Sequence, residues 1–458
     1  MARRSFDDGS SAVPPALPGE VERVVVVGAG IAGLTVANAL TSAGVDCVVV
    51  EARDRIGGRL HTVEVGGHVA DLGGAWIHHP EDGNVLAGWV DLAGVPWIVD
   101  PTGTRFTGAD LGEHRRLSDA ELEHVGYGVF DPLGQAFAAE LAAGGRDRSV
   151  AAVVDEYLAT YGPEDGERER LRQLMAAAVE QDGAGPLDGI SARWALTEDM
   201  FVGDVVDNVP IGGYRTVLAP LAGASEVRLR RPVRRITQTA TGVQVDGDDW
   251  SESGSHVVVT VPLGVLKAGA IAFSPPLPAE RSEVIDRTGF GTMEKVFLAF
   301  EEPFWRAADP GLSHAVIYPA DRAQAATWTW DFGLAPVMMF LVAHSAVEAM
   351  RRDPRAWAVE QLEALYGGPL PAGPVDVRAT DWAHDERALG AYAHVRPGES
   401  SADFALLGEP VGRIAFAGEH TTVGRAGYAD GAMETGLREA KRLLRRGSVE
   451  LTAPDVVS

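Results

Sequence analysis

Glu22-Arg-Val-Val-Val-Val27-Gly28-Ala-Gly30-Ile-Ala-Gly33 is the stretch whose reading decides the fold. The β-branched run Glu22–Val27 predicts a strand buried on both faces. A helical stretch follows the glycines as far as Ala43, Gly44 ends it, and Asp46 to Glu51 predicts a second buried strand. The chain therefore opens its ordered part with a βαβ unit.

A lone GxGxxG is a weak signal, but here strand, helix and terminal acid all stand at the spacing of a dinucleotide site. Gly28 permits the tight turn, Gly30 lets the backbone approach a pyrophosphate, and Gly33 lets helix and strand pack closely. The helix start offers free N–H groups to the phosphates. Glu51, ending the second strand, can accept from ribose hydroxyls and disfavours a 2′-phosphate. Two strings that follow favour FAD over NAD: Glu51-Ala-Arg-Asp-Arg-Ile-Gly-Gly-Arg59 and Asp71-Leu-Gly-Gly-Ala-Trp-Ile-His78. Arg59 can pair with a pyrophosphate in a bidentate way, and Gly57-Gly58 lets the chain pass close by. From these strings Arg53, Gly58, Arg59, Gly74, Ala75 and Trp76 join the cofactor-binding candidates.

Composition sets the outer limits. The 458 residues exceed what one core usually serves, so two interleaved domains are expected. A net charge of −25 argues against a phosphate-binding surface and hence against nucleic acid, and weakly favours encounter with small cations. The single cysteine, Cys47, excludes intrachain disulfides and fits a reducing, cytoplasmic setting. Arg3-Arg4 resembles a twin-arginine signal, but no apolar region follows it. No run approaches the roughly 20 apolar residues a membrane helix needs, so no membrane partner is expected.

Helical, Ala- and Glu-rich sequence fills Thr102 to Gln181, as in Ala136–Ala143 and Glu167–Glu180. Strand-like segments return at Glu226–Ile236, Val243–Val245 and His256–Val261, then at Lys295–Phe300, Ala326–Phe332 and Val337–Ala343. A last strand, Arg413–Phe416, leads into a helix over Gly431–Arg446. The expected fold class is α/β: a Rossmann-type FAD-binding domain (22–101, 208–274 and 379–447) interleaved with a mixed α+β substrate domain (102–207 and 275–378). Residues 1–21 are expected to be a disordered lead-in and 448–458 a short polar tail.

With these motifs quoted, the chain resembles the flavin-containing amine oxidase family, which includes monoamine oxidases, polyamine oxidases and lysine-specific histone demethylases. The resemblance runs from about Val24 to Leu444 and also rests on Gly212-Gly213-Tyr214, Val257–Lys267, Gly289–Val296 and Ile414–Gly436. It implies non-covalent FAD, a small-molecule amine substrate and dioxygen as acceptor. By resemblance, Val233 matches the residue whose backbone meets the adenine, and Glu419 the acid beside the ribityl chain. Ala429 and Asp430 fall where a helix start points at the flavin pyrimidine edge.

Lys295 matches the family lysine that holds a water near flavin N5. Only three lysines occur, Lys267, Lys295 and Lys441, against 37 arginines. A lysine kept on an apolar strand suggests that a deprotonatable ammonium is needed, whereas Lys267 and Lys441 read as surface drift. Trp382, Tyr392 and Tyr428 resemble the monoamine oxidase set, in which the tryptophan packs on the flavin and two tyrosines flank the amine. Ala391 stands where some relatives carry a flavin-anchoring cysteine, which excludes covalent attachment there. His78 resembles the active-site histidine of animal polyamine oxidases and leaves a polyamine open; a structural hydrogen-bonding role is an equal alternative. A flavin oxidase or desaturase of a non-amine substrate, and a non-catalytic flavin scaffold, are the rival readings. The insertions Thr102–Asp207 and Arg306–Arg378 carry no motif that names the amine, and oligomeric state is not legible.

Overall fold

The computed structural model describes residues 2–6, 13–80, 83–99, 106–110, 115–116, 131–161, 183–198, 207–305, 314–318, 327–330 and 335–454, with scattered residues between 168 and 180. Its centre is a five-stranded sheet in the order Glu226–Arg228, Asp46–Val50, Arg23–Val27, His256–Val259 and Ile414–Phe416, every neighbouring pair parallel. Valines 24, 25 and 26 are fully buried, because helices and a second sheet cover the two faces, as a parallel sheet requires. One face receives the helix Ile31–Ser42, buried from Ile31 to Leu40. Against that helix lies Ala429–Leu444, so close that a Cβ on Gly436 would stand 2.6 Å from the carbonyl oxygen of Ala32. The other face packs on the four-stranded sheet Ser251–Gly254, Val243–Asp246, Arg235–Gln238 and Ala272–Ser274, through Ile236, Val243 and Val245.

A seven-stranded sheet forms the second layer system, in the order Asp376–Ala379, Met293–Ala299, Val337–Ala343, Thr327–Trp330, His314–Tyr318, Phe106–Asp110 and Arg115–Arg116. Met293–Ala299 is buried along its whole length and pairs on both sides. The parallel pairing of Phe106–Asp110 with His314–Tyr318 brings both sequence insertions into one sheet. A smaller sheet, Ile77–His78, Asp207–Pro210 and Trp97–Val99, ties the end of the first insertion to the second glycine-rich string.

Several expectations change. Residues 1–21 do not all form a free lead-in: Ala2–Phe6 pairs antiparallel with Val449–Ala453, and Phe6, Val449 and Leu451 enter the core beside the helix Ile31–Ser42. The tail's alternating apolar residues are what make this strand. The region from Thr102 is not uniformly helical, since Phe106–Asp110 and Arg115–Arg116 are strands. The helix over Ala136–Ala143 is present as Asp131–Ala142, and the described residues of Glu167–Glu180 are helical. Glu226–Ile236 is two strands in different sheets, broken around Arg231-Pro232, where proline cannot donate to a ladder. Lys267 and Lys441 are not surface drift. Lys267 Nζ donates to the carbonyls of Ile285, Asp286 and Thr288 at 2.7 to 2.8 Å, closing the C-terminus of the helix Ala279–Arg287, and Lys441 is fully buried. Among the described residues no helix is long and apolar enough to cross a membrane.

Candidate active site

The strand Arg23–Val27 ends at Gly28, whose φ of 107° needs a glycine and whose N–H donates to Val50 O at 2.8 Å. A Cβ on Gly33 would lie 2.0 Å from Gly28 O, so the helix can sit this close to the turn only with glycine there. Gly30 faces open space, with no atom within 4 Å of where its Cβ would be, and no side chain caps the helix it precedes. The first N–H groups of the helix are thus left for an anion. Glu51 is buried; its Oε2 accepts from Ala29 N–H and its Oε1 from Arg53 N–H, each at 2.7 Å. Each oxygen keeps a lone pair for a hydroxyl partner.

A cleft opens from this turn, lined by Gly28, Gly30, Glu51, Arg53, Gly58, Arg59 and Val233. Gly58 adopts φ 60°, and a Cβ there would stand 3.6 Å from Gly30 Cα. Arg53 pairs with Asp385 at 2.7 Å and lies 5.9 Å from the Trp382 ring. An uncapped helix start, a glycine facing empty space and an acid at the strand end fit the ADP half of FAD.

The second group of candidates begins with Lys295. Lys295 is 5% exposed on the strand Met293–Ala299. Its Nζ donates to Gly73 O at 2.6 Å and Asp71 O at 3.1 Å, and lies 4.7 Å from the Trp76 ring centroid. Burial pulls its pKa down to about 7, against the weaker pull of Asp71 in the other direction. Gly74 packs on Leu60 and Ala75 is buried. The second string is held from behind by Tyr214, whose hydroxyl donates to Trp76 O at 2.7 Å and whose N–H donates to the Asp71 carboxylate. Burial raises the Asp71 carboxyl, partly offset by Thr62.

Trp382 is buried, its indole N–H 3.4 Å from Leu72 O. Glu294 fixes its backbone: fully buried, it accepts from Trp382 N–H at 2.9 Å and Ala383 N–H at 3.0 Å. The segment leading to Tyr428 passes beside Tyr392, since a Cβ on Gly427 would lie 3.5 Å from Tyr392 Cδ2. The Tyr428 ring meets His78 edge-on at 5.0 Å, and the Arg425 guanidinium lies 5.3 Å from its centroid. His78 Nδ1 is 2.8 Å from Asp207 Oδ1, both side chains partly exposed. Ala429 begins the last helix, and Asp430 in its first turn is bound by Arg425 and Asn84. Glu419 is buried and pairs with Arg59 at 2.9 Å.

Arg59 lines the nucleotide cleft and, through Glu419 and Ala391 O, bonds the backbone beside Tyr392, while Lys295, Trp76, His78 and Tyr428 form a chain of neighbouring side chains. Residue-level reading missed Glu294, Asp207, Arg425 and Asn84. A carboxylate next to Lys295 in an apolar strand was a usable signal for Glu294, because a buried charge demands partners. Asp207 offers none, its partner being 129 positions away.

A family model described as flavin containing amine oxidoreductase matches residues 31–444. Polyamine oxidase 2 of Arabidopsis thaliana is 29% identical over 94% of this chain and 91% of its own length. Lysine-specific histone demethylase 1 homolog 3 of Oryza sativa subsp. indica is 32% identical over 94% of this chain but only 55% of its own. Among solved structures, a putrescine oxidase double mutant with redesigned cofactor binding has the same fold, with a TM-score of 0.75 and 24% identity over 93% of this chain and 100% of that one. With a match over most of its length and a cleft built for a dinucleotide, the chain belongs to the flavin-containing amine oxidoreductase family and is an FAD-dependent amine oxidase.

Proposed function

We propose that the chain oxidises the carbon bearing the nitrogen of a primary or secondary amine held between Tyr392 and Tyr428, with Lys295 as the proton-handling group. The observation that carries this reading is Lys295 itself: a buried ammonium against two carbonyls, with its pKa pulled to about 7, where one group can hold and release a proton at working pH. When bound, the flavin supplies the redox chemistry, accepting a hydride from the amine and passing the electrons to dioxygen to give hydrogen peroxide and an imine.

The chain's own residues supply the rest. The helix start at Gly30, Arg53, Arg59 and Val233 would hold the cofactor's ADP half, and Trp382 and the helix start at Ala429 would meet its flavin end. Tyr392 and Tyr428 exclude water and orient the amine. The Lys295 ammonium, with donors on the carbonyls of Asp71 and Gly73, has a third N–H to offer a water or the amine. The FAD is non-covalent: Ala391 has no thiol, and Cys47 is buried in the central sheet, where burial and Asp46 push its thiol up to about 12. Acid precipitation of the yellow holoenzyme is therefore expected to leave intact FAD in the supernatant. Flavin retained in the washed pellet would contradict this.

The pair His78–Asp207 favours a second reading, in which the substrate carries a further amino group. With Nδ1–H given to Asp207, His78 Nε2 is an acceptor, and beside a carboxylate it suits a second ammonium; the polyamine oxidase and putrescine oxidase relatives point the same way. A peroxide-coupled assay across monoamines, diamines and polyamines tests it. On this reading, His78→Ala raises KM for a diamine by about 10-fold more than for a monoamine of equal length, the loss of one charge-assisted hydrogen bond. Equal effects on the two substrates would return the pair to a structural role.

A further inference from the structure

Glu419 sits on a short turn, Glu419–Thr421, just after the central strand Ile414–Phe416, and is 4% exposed. A carboxylate this deep must have its charge and lone pairs satisfied. Its partners are not spread at random. Oε1 takes Arg59 Nη1 at 2.9 Å, and the same Nη1 donates to Ala391 O at 2.5 Å. Oε2 accepts Gly427 N–H at 3.0 Å and Ala393 N–H at 3.3 Å. Ala391 and Ala393 flank Tyr392, and Gly427 precedes Tyr428. The backbone on both sides of one tyrosine and on one side of the other thus converges on a single carboxylate and its arginine.

We propose that Glu419 is a positioning residue for both aromatic walls of the substrate site, with Arg59 carrying the link to the cofactor cleft. The proposal rests on the reading of Tyr392 and Tyr428 as the amine-facing walls. Two segments far apart in sequence, 391–393 and 427–428, are thus bonded to one and the same carboxylate. Tyr392 is pinned from the outer side by Gly291, whose N–H donates to Tyr392 O at 3.0 Å and whose carbonyl takes Ala391 N–H at 2.7 Å. On the other side Gly427, at φ 88°, turns its N–H to Glu419, next to the Tyr428 N–H that meets Arg425 O at 3.3 Å. The carboxylate therefore ties the segments that carry the two walls to each other. With Nη1 on Glu419 and Ala391 O, Arg59 would offer its other N–H groups to the cofactor phosphates, so cofactor binding and wall geometry would share one guanidinium.

Glu419→Gln is nearly isosteric and tests this directly. The amide oxygen can serve Arg59 or the two backbone N–H groups, but its NH2 opposes the donors on the other side, so one set of bonds is lost. The expected result is holoenzyme with wild-type flavin content, kcat per bound flavin reduced about 10-fold to 10²-fold, and a raised KM, as misplacement of reacting groups by a fraction of an ångström gives. In a Tyr392→Ala/Tyr428→Ala background the same change should have little further effect, because the walls it positions are gone. Glu419→Asp, which keeps the charge but is too short to reach both segments, should show the same split and carries the test if the glutamine variant does not accumulate. Flavin loss with normal kcat per bound flavin would make Glu419 a cofactor contact only and overturn the proposal. So would a lowered Tm with unchanged kcat and KM, or a full, multiplicative loss in the wall-less background. If the tyrosine variants alone turn over at wild-type rate, the reading of the walls fails, which is a different result from any of these.

Discussion

Lys295→Met is expected to retain its FAD and lose turnover by about 10²-fold or more, the scale on which a positioned proton-transfer group contributes. Its ammonium bonds the carbonyls of Asp71 and Gly73 and faces the Trp76 ring rather than any residue lining the nucleotide cleft, among the described residues, so cofactor content should not change. The pH profile adds the sign. Burial lowers the folded-state pKa from 10.5 to about 7, so kcat of the wild type should rise as pH increases through about 7 and the ammonium gives up its proton. Lys295→Met should flatten that limb. Lys295→Arg should stay low throughout, since a guanidinium remains charged and is bulkier. Stability follows the same linkage. Between about 7 and 10.5 the unfolded chain binds the extra proton, so the cost of burying Lys295 is full below that window and is relieved as pH rises through it. The Tm of Lys295→Met relative to wild type should therefore be more favourable at pH 6 than at pH 9.5. A wild-type kcat from Lys295→Arg, measured with flavin content controlled, would remove Lys295 from the reaction.

Tyr428→Ala carries the second large effect: a fall in kcat/KM of about 10-fold to 10²-fold with FAD retained. The ring is packed by His78 edge-on at 5.0 Å and by the Arg425 guanidinium at 5.3 Å. Removing it opens the site to water and frees His78 to move. Tyr428→Phe keeps these ring contacts and should be mild, within a few-fold of wild type. Because Tyr428 also precedes the helix Ala429–Leu444, the comparison of the two variants separates the ring from the backbone it sits on. If Tyr428→Ala oxidises the best amine as fast as wild type, substrate is aligned elsewhere, and His78–Asp207 becomes the guide to it.

Lys295 shows how far the sequence reaches. Its rarity among 37 arginines marked it, but the same argument assigned Lys267 and Lys441 to the surface, and both are used internally. Composition says that ammonium groups are scarce; it does not say which carbonyls they meet. Lys267 closes a helix end 18 to 21 positions away, a contact visible only once the helix Ala279–Arg287 is folded against it.

What the sequence determined by itself is the local, covalently ordered part. Glycines at 28, 30 and 33 between a β-branched strand and a helix encode their own geometry, because turn, helix start and strand-end acid all lie within 30 residues. The apolar runs Lys295–Phe300 and Val337–Ala343 likewise read as strands. Tertiary structure alone decided the contacts that make these pieces a site. The disordered reading of the lead-in failed because Ala2–Phe6 finds its partner strand more than 440 residues away. Asp207 reaches His78 across the first insertion, and Glu419 gathers Arg59, Ala391, Ala393 and Gly427 from three separate segments. Hydrogen bonds of this kind depend on distances set by the packing of whole layers, and no short-range pattern of residue types carries that information.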